Sequence, residues 1–334
     1  MTALAHPAPA EFSDYSIPEV PTEVVPTCVV CGGDASEVFS EGYDYELKTC
    51  RNRWTFSRCV DCGHVWLNPR PVVSALPVIY PRTYYAYSYE TTISSIAVRS
   101  KELLDGLKMR SIMRRLDRVP RSFLDIGCGT GRFLDAMAKR GLPRERIYGL
   151  ELDQAVVDRL RTRGFQAWCE RVETCTSIPA GSIDLATMFH VIEHVDAPDV
   201  VLERIAEWLA PGGVLAVETP NLDSIDARLF RDRYWGGYHI PRHWHLFSPH
   251  TLEKLLVRAG LTPVATMFQT GHSFWMYSLH HWLRYEPTER PSLARRFDPF
   301  RNVAPLAMFT LFDKVRGALG ARTSAMLMIA RKDR

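Results

Sequence analysis

The chain has 334 residues, enough for a full apolar core and for about two domains of ~150 residues. Apolar residues make up 46% and charged residues 24%, an ordinary globular balance that excludes global disorder. The 41 basic and 38 acidic residues leave a formal net charge of +3, so no global field draws the chain to nucleic acid or to a membrane surface.

Residues 1–26, punctuated by Pro7, Pro9, Pro18, Pro21 and Pro26, read as a flexible tail without a basic-then-apolar leader. No run of 18 apolar residues occurs, so no membrane-spanning helix is expected, and the cytoplasm is the expected compartment. In that reducing setting the eight cysteines point to metal rather than to disulfides. Cys28-x-x-Cys31 and Cys59-x-x-Cys62 form two knuckles separated by 27 residues, each bringing two thiolates to one tetrahedral ion. Gly32, Gly33 and Gly63 follow them, where a tight turn suits glycine. Residues 27–75 are therefore expected to be a zinc ribbon holding one structural Zn2+, with Cys50 and His64 as bystanders. A redox pair is the weaker reading, because no thioredoxin-like strand and helix surround either CxxC. Lys48, Arg51, Arg53 and Arg58, interleaved with Trp54 and Phe56, have the composition of a nucleic-acid surface and equally that of a solvated ribbon face.

Residues 76–118 are expected to be a tyrosine-rich linker followed by a basic amphipathic helix. The tyrosines are Tyr80, Tyr84, Tyr85, Tyr87 and Tyr89; Tyr84 and Tyr85 are candidates for stacking on an acceptor ring. The helix, over 95–118, sets Leu103, Leu104, Leu107, Ile112, Met113 and Leu116 against Lys101, Lys108, Arg110, Arg114, Arg115 and Arg118. Its basic face is expected to be solvated, with peripheral membrane or RNA contact as the alternative.

From Ser122 onward short apolar runs alternate with helical stretches. Strands are predicted at Phe123–Ile126, Ile147–Leu150, Gln166–Trp168, Ile183–Phe189, Val214–Glu218, Val264–Gln269 and Ala325–Ala330. Helices are predicted at Arg132–Arg140, Gln154–Arg163, Ala197–Leu209 and Thr251–Ala259. The alternation predicts an α/β fold over 119–334 with a mostly parallel sheet covered on both faces. Residues 271–322 interrupt it with apolar helices carrying Trp275, Trp282, Phe309 and Phe312, read as a helical insertion in that core. A substrate wall, a dimer face and a membrane-contact surface are its three functional readings, against ordinary buried packing.

Asp125-Ile-Gly127-Cys-Gly129-Thr-Gly131 follows the first of these strands and opens a helix, the setting of a loop whose backbone approaches a nucleotide. The glycine spacing is G-x-G-x-G, not the dinucleotide-binding G-x-G-x-x-G. Asp125 is expected near the amino-acid end of the ligand. Glu151, at the end of the next strand, has a bidentate acceptor suited to two ribose hydroxyls, and Leu152 is placed to pack on the base.

With this loop and Glu151 the chain resembles the class I S-adenosylmethionine-dependent methyltransferases over residues 120–334. The resemblance implies a Rossmann-like seven-stranded sheet with an antiparallel last strand, and methyl transfer from S-adenosylmethionine. Trp66-Leu-Asn-Pro-Arg-Pro71 and Tyr80-Pro-Arg-Thr-Tyr-Tyr85 are similar to stretches of bacterial methyltransferases that carry an N-terminal zinc ribbon, some of which act on sugars. By that analogy the acceptor is a small molecule, a saccharide or sugar nucleotide first. A lipid or quinone-like acceptor, RNA, and a non-catalytic donor-binding protein are the alternatives.

Two histidine clusters follow. His190-Val-Ile-Glu193-His194 ends the fourth strand, where a histidine suits a general base; His190 is the first candidate and His194 the second. The same five residues match H-x-x-E-H, but a strand end is the wrong setting for that helical zinc-protease pattern. His239, Arg242, His243 and His245 lie together before Ser248, the expected cap of a helix opened by Pro249. His239, Arg242 and His243 are candidate acceptor-binding residues, with Arg242 as a bidentate clamp for an anion. A packed loop is the alternative for the histidines.

Overall fold

The computed structural model describes residues 9–81, 95–286, 290–299 and 302–333; Tyr84 and Tyr85 lie outside them. The chain divides into two compact units. One comprises residues 1–81, 220–248 and 268–326, the other residues 82–219, 249–267 and 327–334.

The first unit begins with β1 (Thr22–Glu23), β2 (Ser36–Gly42), β3 (Trp54–Cys59), β4 (Val65–Leu67), β5 (Arg70–Pro71) and the short α1 (Leu76–Ile79). The second unit then runs through α2 (Ser95–Met113), β6 (Phe123–Ile126), α3 (Arg132–Ala138), β7 (Ile147–Glu151), α4 (Gln154–Thr162), β8 (Gln166–Cys169), β9 (Ile183–Phe189), α5 (Pro198–Trp208) and β10 (Leu209–Pro220). The remainder comprises α6 (Ile225–Leu229), β11 (His245–Leu246), α7 (Pro249–Arg258), β12 (Leu261–Gln269), α8 (His272–Tyr285), α9 (Pro291–Ala294), α10 (Val303–Ala318) and β13 (Ala325–Lys332).

Seven strands form one sheet in the order β12-β13-β10-β9-β6-β7-β8. β6 pairs in parallel with β7 and β9, and β8 and β10 extend the parallel run on either side. Every residue of β6 is buried, and so is β9 up to Met188, as strands covered on both faces must be. Phe123, Leu134, Ile147, Leu160, Leu185, Val214 and Leu327 share the core that the flanking helices close. Asp153 caps α4 by accepting from Val156 N at 3.1 Å. At the other end Gly164 N and Phe165 N return to the carbonyls of Arg161 and Leu160, a Schellman closure. β10 starts five residues earlier than the pattern predicts, because its register shifts between Leu209 and Val214 across Pro211-Gly212-Gly213, where no apolar periodicity survives.

The order has one functional consequence. β6 sits between β7 and β9, so the chain leaves β6 toward one side and comes back to β9 on the other. The carboxyl ends of β6 and β9 are thereby the topological switch point, the place where open α/β sheets bind ligands.

The other unit differs from the expected boundaries. The ribbon strands form a four-stranded sheet, β11-β4-β3-β2, in which His245 pairs with Trp66 and Leu246 with Val65. Its core joins Trp54, Phe56 and Leu67 to Trp235, Tyr238 and Ile240 from far along the chain. A ribbon of 27–75 alone is too small to bury these rings, so the fold completes it with later residues. The helices of 271–322 are inserted in the chain between β12 and β13 of the seven-stranded sheet, and they cluster with the first unit. Trp275 of α8 stacks on Phe309 of α10 at 5.6 Å, while Leu311 and Trp282 stay exposed. Among the described residues no helix is long and apolar enough to cross a membrane.

Candidate functional site

In the ribbon, the sulfurs of Cys28, Cys31, Cys59 and Cys62 all lie within 4.8 Å of one another. Cys28 Sγ is 3.5 Å from Cys62 Sγ, and Cys31 Sγ is 3.4 Å from Cys59 Sγ. A tetrahedral zinc with Zn–S bonds of ~2.3 Å separates its sulfurs by about 3.8 Å, so the four thiols fit that ion with little adjustment. His64 stands apart: its Nε2 lies 3.1 Å from His245 Nδ1, and burial lowers its pKa to about 3. Cys50 is buried in the aromatic core, outside the cluster.

The glycine loop follows β6 at this switch point. Gly127 N and Cys128 N both donate to Leu150 O, at 2.9 and 3.1 Å, which ties the loop to the end of β7. Gly131 has φ +84°, and a Cβ there would meet Leu160 Cδ2 at 2.4 Å, so only glycine lets α3 start this close to α4. Gly129 has φ +49° and open space where a Cβ would stand. Its N–H donates to Glu151 Oε2 at 2.8 Å, and Leu152 N donates to Oε1 at 2.7 Å. The carboxylate is thereby oriented with lone pairs left over, beside an exposed Leu152. Asp125 lies beneath, buried, accepting from Thr187 Oγ1 at 2.6 Å; burial pushes its carboxyl up to about 7.

On the β9 side, His190 has φ +55° and donates its backbone N–H to Glu218 O at 2.8 Å. Its ring lies between two carboxylates, Nδ1 at 3.3 Å from Glu193 and Nε2 at 3.6 Å from Glu218. The side chain is 44% exposed; desolvation at the carboxylates works against the imidazolium, but hydrogen bonds and charge from Glu193 and Glu218 outweigh it and raise the pKa to about 9. Glu218, by contrast, is buried. Burial opposes its charge, yet Lys108 and His190 overcome that and hold its carboxyl down at about 2. Lys108 pairs directly with Glu218, and Glu193 accepts from Thr219 Oγ1 at 3.0 Å. The result is a ladder of alternating charge, Lys108, Glu218, His190, Glu193. His194 follows on the same turn, its backbone N–H bonded to Val191 O.

Lys108 and Glu218 were not singled out in the sequence. Glu218 carried a signal, a carboxylate ending an otherwise apolar strand. Lys108 carried none, because it falls among the basic residues of α2 that read as solvated, whereas its side chain is largely buried.

The second histidine cluster turns inward. Arg242 is completely buried and is not a ligand clamp. Nη1 and Nη2 donate to Asp44 at 3.0 and 2.9 Å, Nε donates to Ile79 O at 2.8 Å, and further bonds run to Ile240 O and Thr49 Oγ1. Its fork is spent on closing the ribbon unit, since a guanidinium without partners is too costly to bury. His243 is buried with Nδ1 at 2.8 Å from Gly237 O, and His239 pairs with Glu46 at 2.7 Å. Asn221, also buried, donates to Thr323 O.

Residues 100–266, half of the chain, match the family described as methyltransferase domain. The chain belongs to that family. The methyltransferase domain thus contains the glycine loop, Glu151 and the whole charge ladder. Over 108 residues the chain is 35% identical to an uncharacterized 37.1 kDa protein in transposon TN4556 of Streptomyces fradiae, which covers 31% of each chain. Over 149 residues it is 30% identical to a ubiquinone biosynthesis O-methyltransferase of Chelativorans sp. (strain BNC1), covering 41% of this chain and 57% of that one. The chain therefore spans about a third to just over half the length of these curated relatives. Among solved structures it is similar to a SAM-dependent methyltransferase from Archaeoglobus fulgidus, with TM-score 0.47 and 19% identity over 75% of this chain and all of that one.

Proposed function

We propose that this protein transfers a methyl group from S-adenosylmethionine to a small-molecule acceptor. One observation carries the reading: inside a methyltransferase domain, Gly129 leaves open space directly beside the oriented Glu151 carboxylate. Bound S-adenosylmethionine supplies an electrophilic methyl on a sulfonium. Gly127, Gly129 and Gly131 let the backbone approach the donor, and Glu151 accepts from its ribose hydroxyls. Leu152 covers the adenine, and Asp125 faces the methionine end, its ionised form favoured there by an ammonium group. His190 and His194 stand at the acceptor side. His190 is held as imidazolium at neutral pH, and its neutral form is the proton acceptor for a hydroxyl. Cys28, Cys31, Cys59 and Cys62 hold zinc as a structural ion, four thiolates leaving no open position.

The acceptor is a hydroxylated small molecule, with a saccharide as the first reading. A quinone-like phenol is the second, favoured by the relatives named ubiquinone biosynthesis O-methyltransferase. The test incubates the protein with methyl-labelled donor and host extract separated into polar, lipid and RNA pools. Label in the polar pool supports the saccharide and label in the lipid pool the quinone. Label in neither, with donor bound, overturns the small-molecule reading. Glu151→Ala is expected to weaken donor binding by about 1–3 kcal/mol in a calorimetric titration, the worth of a charged hydrogen-bond acceptor. Unchanged affinity removes Glu151 from the donor site.

A further inference from the structure

Residues 9–17 precede every strand and are tied to the ribbon unit by side chains. Among the described residues their backbone hydrogen bonds stay local, Phe12 N to Pro9 O at 2.9 Å and Ile17 N to Asp14 O at 3.2 Å. The first backbone tie to the rest of the unit is Pro18 O, which accepts from Arg51 N at 3.0 Å. The segment is therefore a strap that joins the unit at Pro18 through the exposed residues 13–16.

Two adjacent side chains hold the strap down. Phe12 is 4% exposed, stacked on Tyr43 at 4.8 Å and edge-on to Tyr45 at 5.9 Å, with Tyr285 tilted toward it at 6.3 Å. Glu11 is ion-paired with both Lys48 and Arg284, and it accepts from Tyr285 Oη at 3.1 Å. Partial burial opposes its charge, but Lys48 and Arg284 outweigh that and hold its carboxyl below the usual range. Lys48 has a φ of +53°, a conformation uncommon outside glycine that concentrates at ligand clamps. The strap thus sets a carboxylate between two cations and an aromatic ring in a cage of three tyrosines.

We infer that Glu11 and Phe12 are the internal occupants of a binding site for a small aryl carboxylate, its acid held by Lys48, Arg284 and Tyr285 and its ring by Tyr43 and Tyr45. Each half of the site selects. A simple anion leaves the tyrosine cage empty, and a neutral ring leaves Lys48 and Arg284 without a counter-charge. The ion pairs of Glu11 are part-exposed and contribute little stability, so the Phe12 ring carries most of the strap's hold. A ligand that brings both groups competes with the strap on equal chemical terms. Its apparent affinity is lowered by the fraction of chains whose strap is seated. The site needs no empty cavity, because the ligand takes the volume that the Phe12 ring vacates. It lies within the ribbon unit and rests on neither the donor loop nor the acceptor reading.

The test is fluorine NMR on the full chain with 4-fluorophenylacetate. The controls are 4-fluorobenzyl alcohol, the ring without charge, and trifluoroacetate, the anion without a ring. Phe12→Ala frees the cage and is expected to tighten 4-fluorophenylacetate about tenfold or more over the unaltered chain. Adding Lys48→Gln to that variant is expected to weaken it about tenfold, the loss of one charge-assisted partner. Both controls are expected to bind that variant more weakly by a similar factor. In the unaltered chain the ligand is expected to speed chymotryptic cleavage after Phe12 several-fold, read by mass spectrometry, because displacing the strap exposes that ring. If Phe12→Ala no longer unfolds cooperatively, this cleavage decides alone. Equal affinity in Phe12→Ala and the unaltered chain, indifference to Lys48→Gln, equal binding of either control, or cleavage unchanged by the ligand overturns the proposal and leaves Glu11 and Phe12 as ordinary packing.

Discussion

At the scale of single residues, His190 shows how a side chain can be found in the sequence while its chemistry is not. Its place at the end of β9 follows from the strand pattern, and a histidine there reads as a base. Its charge state follows from Glu193, Glu218 and Lys108, two of which come from elements remote in the chain. A folded pKa raised to about 9 means that imidazolium persists below that value and its ion pairs are lost as pH rises through it. If neutral His190 accepts the acceptor's proton, turnover climbs with pH through about 9. Glu218→Gln removes one of the stabilising charges, so the rising limb should move to lower pH in an initial-rate profile. A limb that stays in place would separate His190 from the rate. Arg242 teaches the converse lesson. Its composition suits an anion clamp, and only the buried Asp44 partner reveals that its fork is already filled.

At the scale of elements, the strands and helices that hold the donor loop were legible because local chemistry and tertiary packing agree. Asp153 and the Gly164 closure mark both ends of α4, and the apolar face of that helix carries Val156, Val157 and Leu160 into the core. Leu160 does two things at once, filling the core and standing where Gly131 turns into α3. Leu160→Ala should therefore lower unfolding stability by about 2–5 kcal/mol in a denaturant titration, the range for a buried leucine leaving a cavity. It should also loosen donor binding, because the loop loses its floor. A loss under 1 kcal/mol would mean that the neighbouring side chains collapse into the space. The first residues of β10 were not legible, since Pro211-Gly212-Gly213 carries no strand pattern and its pairing is imposed by β9.

At the scale of the whole chain, the four cysteines tie down a unit assembled from three separate stretches of sequence. Because Trp54 of the ribbon and Trp235 share one core, removing the metal should disturb both. Chelation is expected to release one zinc per chain and to collapse the near-ultraviolet circular dichroism, with zinc restoring it, as when metal binding and folding are coupled. A spectrum unchanged after complete removal would show that the apolar core suffices without the ion. By itself the sequence determined the α/β class, the sites of the glycine loop and Glu151, and the two cysteine knuckles. Each is written in local spacing, where a period, a turn residue or a pair of ligands suffices. The tertiary structure alone decided that β11 and the helices of 271–322 complete the ribbon unit, that Arg242 is spent on Asp44, and that Lys108 is buried against Glu218. Those outcomes depend on which distant surfaces must cover apolar rings and pair buried charges, a balance that no local pattern records.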